Sequence, residues 1–114
     1  MYDKETGEKF RMLPNKGSTD EHWWNVAEPI WVTAEKQGKY AAMYWWAGCE
    51  VKIRDVEPMI CERHRYGPGT EAEKNDYLER IDDIIQLFKP PHMDRLSLAL
   101  IYYGPVDYTG KYIL

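Results

Sequence analysis

Residues 40–45, with the sequence Tyr-Ala-Ala-Met-Tyr-Trp, form the short apolar run that decides the fold. A continuous run of this length, directly after a glycine and a polar stretch, is typical of a strand that is buried on both faces of a parallel sheet. Before it, Pro29 fits the first turn of a helix and Gly38 fits its C-terminal stop, which predicts a helix from Pro29 to Gln37. A helix followed by a buried strand indicates an α/β fold.

The second half of the chain repeats the order of helix and strand. Thr70 is a suitable N-cap, Glu73 completes a capping-box pattern with it, and Pro90 ends the helix. The apolar stripe expected on this helix consists of Tyr77, Ile81, Ile84, Ile85 and Phe88. The solvated face expected opposite consists of Glu79, Arg80, Asp82 and Asp83.

A second buried strand is predicted from Leu96 to Tyr103, and residues 104–107 then read as a loop at its end. Residues 1–22 read as a loop with a short strand from Phe10 to Leu13, and residues 47–70 read as irregular. The whole pattern predicts an α/β fold with mostly parallel strands. Because two strands are too few for a complete parallel sheet, we expect a piece of a larger domain.

Charge and hydropathy exclude some functions. The formal net charge is -4, and no long basic run is interleaved with the aromatic residues, so nucleic acid is not an expected partner. No apolar run reaches the length of a membrane span, and the N-terminal residues do not resemble a signal peptide.

The two cysteines, Cys49 and Cys61, leave two states open. A bridge between them would contribute about 3 kcal/mol by constraining the unfolded chain. Two free thiols would suit a reducing compartment, and composition alone slightly favours that state. The spacing does not match a cysteine zinc site.

The stretch after the first strand, YWWAGCE at residues 44–50, contains two adjacent indoles and a carboxylate. Ligands of open α/β sheets bind beyond the carboxyl ends of the strands, so Trp45, Trp46 and Glu50 are candidate ligand-binding residues. The alternative is that the indoles fill the core, and strand alternation favours this for at least one of them.

Other polar residues give weaker signals. Asp107 follows the second strand, where a carboxylate could bind a metal ion, although an Asx-type turn is the commoner role. The three histidines, His22, His64 and His92, stand apart in polar loops, and we expect them to be solvated.

Three stretches of the sequence together resemble one known family. Residues 1–3 (MYD), residues 23–53 (WWNVAEPIWVTAEKQGKYAAMYWWAGCEVKI) and residues 98–110 (LALIYYGPVDYTG) resemble the ectonucleotide pyrophosphatase/phosphodiesterase family of the alkaline phosphatase superfamily. The resemblance implies that residues 1–114 are an internal fragment of a phosphodiesterase catalytic domain. Its fold would be part of an alkaline-phosphatase-like three-layer α/β/α sandwich. The pair Cys49 and Cys61 most resembles the choline-specific glycerophosphodiesterase branch, which implies a disulfide and an extracellular or cell-surface location.

The resemblance also implies metal chemistry. The family hydrolyses phosphodiesters with two zinc ions held by six Asp and His side chains, and a threonine attacks the phosphorus. Asp107 matches an aspartate ligand and Gly110 matches the glycine of the same motif, whereas Lys111 replaces the histidine ligand. The nucleophile and the other ligands are expected outside residues 1–114, so we expect no catalytic residue and no turnover in this polypeptide alone. An inactive truncated homologue is therefore an alternative.

For the substrate, the resemblance assigns Trp45, Trp46, Glu50 and Tyr102 to the binding pocket. Indole faces attract a quaternary ammonium by about 0.5–2 kcal/mol each, and Glu50 would add an opposite charge, which favours glycerophosphocholine or lysophosphatidylcholine. The alternative is a nucleotide, whose base stacks on the same aromatics. Membrane anchoring of the parent protein, outside this segment, is left open.

Overall fold

The computed structural model describes residues 1–11, 17–91 and 96–112. Its centre is a parallel sheet of three strands, which are β1 (Tyr40–Tyr44), β2 (Ile60–Glu62) and β3 (Leu96–Ile101). The order across the sheet is β2, β1, β3, and both outer strands run parallel to β1. The parallel α/β arrangement predicted from residues 40–45 is confirmed.

In the described part of the chain, three α-helices and one 3-10 turn accompany the sheet. They are the 3-10 turn Glu21–Trp23, α1 (Ile30–Lys36), α2 (Glu71–Leu87) and α3 (Gly104–Tyr112). Pro29 is the N-cap residue of α1 and Gln37 is its C-cap, so the predicted helix is confirmed to within one residue at each end. Gly38 follows with a φ of 70°, the left-handed conformation expected of a residue that ends a helix.

Helices cover both faces of β1. Ala41 and Met43 face one side, where they pack with Trp31 and Val32 of α1. Ala42 and Tyr44 alternate to the other side, where the partly buried Ile84 and Leu87 of α2 pack against them. Because successive side chains of a strand point to opposite faces, the fully apolar run of β1 explains why two helix layers are needed. The fold is therefore three-layered, as the resemblance implied.

Helix α2 begins as predicted but packs differently. The Thr70 hydroxyl accepts a hydrogen bond from the Glu73 backbone N–H at 3.1 Å, as in a capping box. The Arg80 side chain, expected on a solvated face, is only 15% exposed and lies within 2.7 Å of Asp83 Oδ2. Ile85 and Phe88 are 47% and 44% exposed, so the distal part of the predicted apolar stripe is not covered within the described chain.

Strand β2 was not expected, because residues 47–70 read as irregular. It has only three residues, it follows Pro58 closely, and it ends in the charged Glu62, so it carries no apolar run of its own. Its register, Ala42 opposite Ile60, extends the sheet beyond β1. The strand is held by backbone pairing with β1 and by the packing of Ile60 against the core, neither of which a local apolar run reveals.

The segment after β3 differs from its prediction. Residues 104–107 are not a loop, because Gly104 begins α3 and Asp107 lies in its first turn. Pro105 explains this start, since proline is well tolerated in the first turn of a helix.

Of the short strand predicted from Phe10 to Leu13, Phe10 and Arg11 are outside any strand and the rest lies outside the described residues. Among the described helices, none has the length and apolar character needed to cross a bilayer.

Candidate functional site

The carboxyl ends of β1 and β3 lie side by side. Tyr44 is paired with Ile101, and the next residue, Tyr102, donates a backbone hydrogen bond to the Tyr44 carbonyl at 3.2 Å. Trp45 and Tyr102 therefore leave the sheet from neighbouring positions on the same edge. We call this edge, with the residues that follow each strand, the carboxyl edge.

Trp45 turns sharply out of β1. Its φ of 60° is uncommon for a bulky residue and re-aims the chain at the strand end. Its backbone N–H donates to the Glu62 carbonyl at 2.7 Å, which holds the turn against the end of β2. The side chain is only 7% exposed, so Trp45 is the indole that is buried, as strand alternation favoured for one of the pair.

His64 forms the centre of the carboxyl edge. Its imidazole stacks on the Trp45 indole with ring centroids 4.7 Å apart and an interplanar angle of 24°. Tyr102 presents its ring edge-on at 6.3 Å, and the carboxylate Oε1 of Glu73 lies 3.8 Å from Nδ1. His64 lies in the loop after β2 and is partly exposed to solvent, as expected, but its ring also packs against Trp45, which was not expected. Its position at this edge was not predicted because β2, the strand that precedes it, gives no recognisable pattern in the sequence.

Trp46 and Glu50 differ in what they offer a ligand. The Trp46 side chain is 38% exposed, so part of the indole faces solvent. The Glu50 side chain is only 10% exposed, and its carboxylate accepts the Gly48 backbone N–H at 3.1 Å and lies 3.7 Å from Arg63 Nε. Its charge is therefore already compensated by protein groups.

Tyr102 and Asp107 are brought into direct contact. The Tyr102 hydroxyl donates a hydrogen bond to Asp107 Oδ2 at 3.2 Å. A carboxylate in the first turn of α3 is also stabilised by the helix dipole. The structure thus gives Asp107 a structural partner at the place where the resemblance implies a metal ligand.

The described residues do not form a complete zinc site. Within that part of the chain, the single group of three potential ligand atoms within 4.8 Å of one another belongs to Cys49, Glu50 and Cys61. The two cysteines are joined in a disulfide with Cα atoms 5.6 Å apart, so they offer no thiolate. Asp107 contributes one carboxylate, which is too few ligands for the four-coordinate site that zinc prefers.

The same disulfide settles the state of the cysteines. Free thiols, which composition slightly favoured, are wrong, and the bridge implied by the resemblance is confirmed. It joins the turn after β1 to β2, so it also holds in place the end of β2, which His64 follows in the chain.

Comparisons with known proteins agree on one family. The family model for type I phosphodiesterase/nucleotide pyrophosphatase matches residues 1–113. An uncharacterised pyrophosphatase/phosphodiesterase of Schizosaccharomyces pombe is 30% identical over 96% of this chain, and ectonucleotide pyrophosphatase/phosphodiesterase family member 3 of Mus musculus is 31% identical over 96%. The solved structure of murine ectonucleotide pyrophosphatase/phosphodiesterase 5, an inactive variant in complex with AMP, superimposes with a TM-score of 0.69 at 27% identity over 96% of this chain.

The chain belongs to the type I phosphodiesterase/nucleotide pyrophosphatase family. Its α/β fold is accordingly part of the alkaline-phosphatase-like domain seen in the murine structure. The chain spans 21% of the yeast relative, 12% of the mouse relative and 27% of the solved chain.

Proposed function

We propose that residues 1–114 are a segment of a phosphodiesterase catalytic domain and that their carboxyl edge is the substrate-side wall of its cleft. The observation that carries this proposal is the parallel register that sends Trp45 and Tyr102 out of adjacent strand ends. Ligands of α/β sheets bind at such an edge. Family membership supports phosphodiester hydrolysis, and the small share of each relative that the chain covers supports a segment.

The favoured substrate is a nucleotide ester or pyrophosphate. Trp46 exposes indole surface on which a base can stack, a contact worth about 1–3 kcal/mol. Glu50, which would have to hold a choline, is mostly buried and already paired with Gly48 and Arg63. The AMP complex of the murine relative supports the same substrate class.

A choline phosphodiester, such as glycerophosphocholine or a lysophospholipid, is the second candidate. The Cys49–Cys61 bridge favours it, because that pair is the feature that most resembles the choline-specific branch. The exposed Trp46 face could bind a quaternary ammonium as well as a base.

Substrate hydrolysis by the full-length protein that contains this segment separates these candidates. We expect a nucleotide ester to be cleaved with a kcat/KM at least about tenfold above that of a phosphocholine ester, as the loss of one stacking contact would imply. The variant Trp46→Ala should raise KM for the nucleotide ester, whereas Trp23→Ala, which removes an indole packed on Phe10 and His22, should not. Preferential cleavage of the phosphocholine ester would select the second candidate, and hydrolysis of neither ester would refute the proposal.

The proposal also covers the metal ion and the location of the parent protein. Asp107 is the candidate ligand that this segment contributes, and the remaining ligands would come from elsewhere in the parent protein. The 114-residue polypeptide alone should therefore show no hydrolysis with added zinc, and turnover would contradict this. The disulfide and the ectonucleotide and venom relatives support an extracellular or cell-surface location, with any membrane anchor outside this segment.

A further inference from the structure

We propose that His64 is a substrate-binding residue, oriented by the buried carboxylate of Glu73, that donates a hydrogen bond to an anionic phosphate group. This inference rests on the proposed function, because it assumes that a phosphate ester binds at the carboxyl edge. It adds a residue that the sequence pattern did not identify, and it predicts which part of the ligand that residue contacts.

Glu73 is the first reason. Its side chain is 1% exposed, and Oε2 accepts the backbone N–H of Gly69, while Oε1 has no hydrogen-bond partner among the residues that the structure describes. A Cβ atom added at Gly104 would come within 3.3 Å of Oε1, so the start of α3 closes over the carboxylate. A buried carboxylate is costly without a compensating charge. Within the described residues, the basic side chain that faces Oε1 is His64, whose Nδ1 lies 3.8 Å away.

The setting of the imidazole is the second reason. Trp45 covers one ring face at 4.7 Å, Tyr102 stands edge-on at 6.3 Å, and Glu73 faces Nδ1, so the ring is held by three separate elements. The side chain is nevertheless 37% exposed. Nε2 forms no hydrogen bond within the described part of the chain, and in a protonated imidazole it is a donor. A ligand at the carboxyl edge can therefore reach a donor whose direction is already fixed.

The charged groups around His64 give the third reason, and they indicate that the ligand is an anion. The chain is acidic overall, with a net charge of -4, yet Arg63, His64 and Arg65 follow one another directly after β2. The two arginine side chains are 60% and 54% exposed. Arg63 lies 3.7 Å from Glu50 and Arg65 lies 2.8 Å from Glu62, so each arginine already has an acidic partner. The donor left for a ligand is His64, and an anion can accept its hydrogen bond whereas a quaternary ammonium cannot. Since phosphate oxygens are strong acceptors of charge-assisted hydrogen bonds, a phosphate group fits this donor.

The test compares AMP with adenosine, which lacks the phosphate, as ligands of the full-length protein. The variant His64→Phe keeps an aromatic ring against Trp45 but removes the donor. A lost hydrogen bond to a charged group corresponds to at least about a tenfold weaker affinity for AMP, with adenosine affinity unchanged. His64→Gln, which retains a neutral donor, should weaken AMP binding less than His64→Phe.

Glu73 is tested as a positioning residue. Glu73→Gln keeps an oxygen that can accept from Gly69 but removes the charge that faces His64, and it should lower the ratio of AMP to adenosine affinity. Asp76→Asn, which neutralises another buried carboxylate of α2 that pairs with Arg80, is the matched control and should leave that ratio unchanged. A general loss of folding would lower both affinities, so the ratio separates positioning from a structural effect.

A second readout is made on the unmodified protein, in which the aromatic stack is intact. Inorganic phosphate should shift the imidazole NMR signal of His64, assigned by its absence in His64→Gln, and adenosine should shift it much less. Equal losses of AMP and adenosine affinity in His64→Phe, or no phosphate-dependent shift, would overturn the inference while leaving the proposed function intact. If the unmodified protein bound neither AMP nor adenosine, the proposed function and this inference would both fail.

Discussion

The hydroxyl of Tyr102 donates a hydrogen bond to Asp107, five residues further along the chain, at 3.2 Å. This bond connects the end of β3 to the first turn of α3. It fixes Asp107, which the resemblance implies as a metal ligand, relative to the aromatic residues of the carboxyl edge. Its contribution can be measured directly.

Removing the Tyr102 hydroxyl should destabilise the fold slightly. In Tyr102→Phe the Asp107 carboxylate loses a partly buried donor, so we expect the free energy of unfolding to fall by about 1–2 kcal/mol in urea titrations. Tyr103→Phe is the control, because the Tyr103 ring packs on Tyr77 at 4.3 Å and its hydroxyl forms no hydrogen bond within the described residues. Equal effects of the two variants would show that the bond to Asp107 contributes nothing specific.

Breaking the Cys49–Cys61 bridge should have a larger effect. The cysteines are separated by 12 positions, and opening a loop of this size costs about 3 kcal/mol of stability through the unfolded chain. We expect the double variant Cys49→Ala/Cys61→Ala to show this loss in denaturant titrations. A reducing agent should lower the stability of the unmodified protein to a similar extent and leave the double variant unchanged. An unaltered stability after reduction would contradict the assignment.

Gly48 should not tolerate a side chain. Its φ is 96°, and a Cβ atom there would lie 2.5 Å from the Trp24 ring. Strain and overpacking together predict that Gly48→Ala lowers the free energy of unfolding by about 2–4 kcal/mol. Gly38→Ala is the matched control, because Gly38 has a φ of 70° but no atom within 4 Å of such a Cβ, and it should cost about 1–2 kcal/mol. The prediction fails if Gly48→Ala is no worse than the control.

Glu28 predicts an acid-dependent loss of stability. The Lys36 ammonium, the Thr33 hydroxyl and Arg54 donate hydrogen bonds to its carboxylate and lower the pKa of Glu28 from 4.5 to about 2. A depressed pKa in the folded state stabilises the fold above pH 4.5, and this stability is lost as the pH falls towards about 2. We therefore expect unfolding titrations to show a smaller decline between these pH values for Glu28→Gln than for the unmodified protein. Parallel curves for the two proteins would contradict the assignment.

Elements marked by strong local signals could be predicted from the sequence. Each of these signals involves only residues that are close together in the sequence. They are the apolar run of β1, the proline at the start of α1 and the Thr70 cap of α2. The bounds of these elements were accordingly close to those observed.

Features that depend on distant contacts could not be predicted in this way. Strand β2 pairs with β1 through only three residues, and missing it concealed the stacking of His64 on Trp45. Helical periodicity predicts that Arg80 faces solvent. Its side chain is instead mostly buried, because the guanidinium forms ion pairs with Glu62 on β2 and Asp76 on α2. The family resemblance supplied the disulfide, which composition alone had not favoured.

The most direct test of a substrate wall at the carboxyl edge is a crystal structure of the full-length protein with AMP bound. We predict that the adenine ring stacks on Trp46 and that a phosphate oxygen lies within about 3.2 Å of His64 Nε2, as a hydrogen bond requires. AMP bound away from Trp45, Trp46 and Tyr102 would contradict the account.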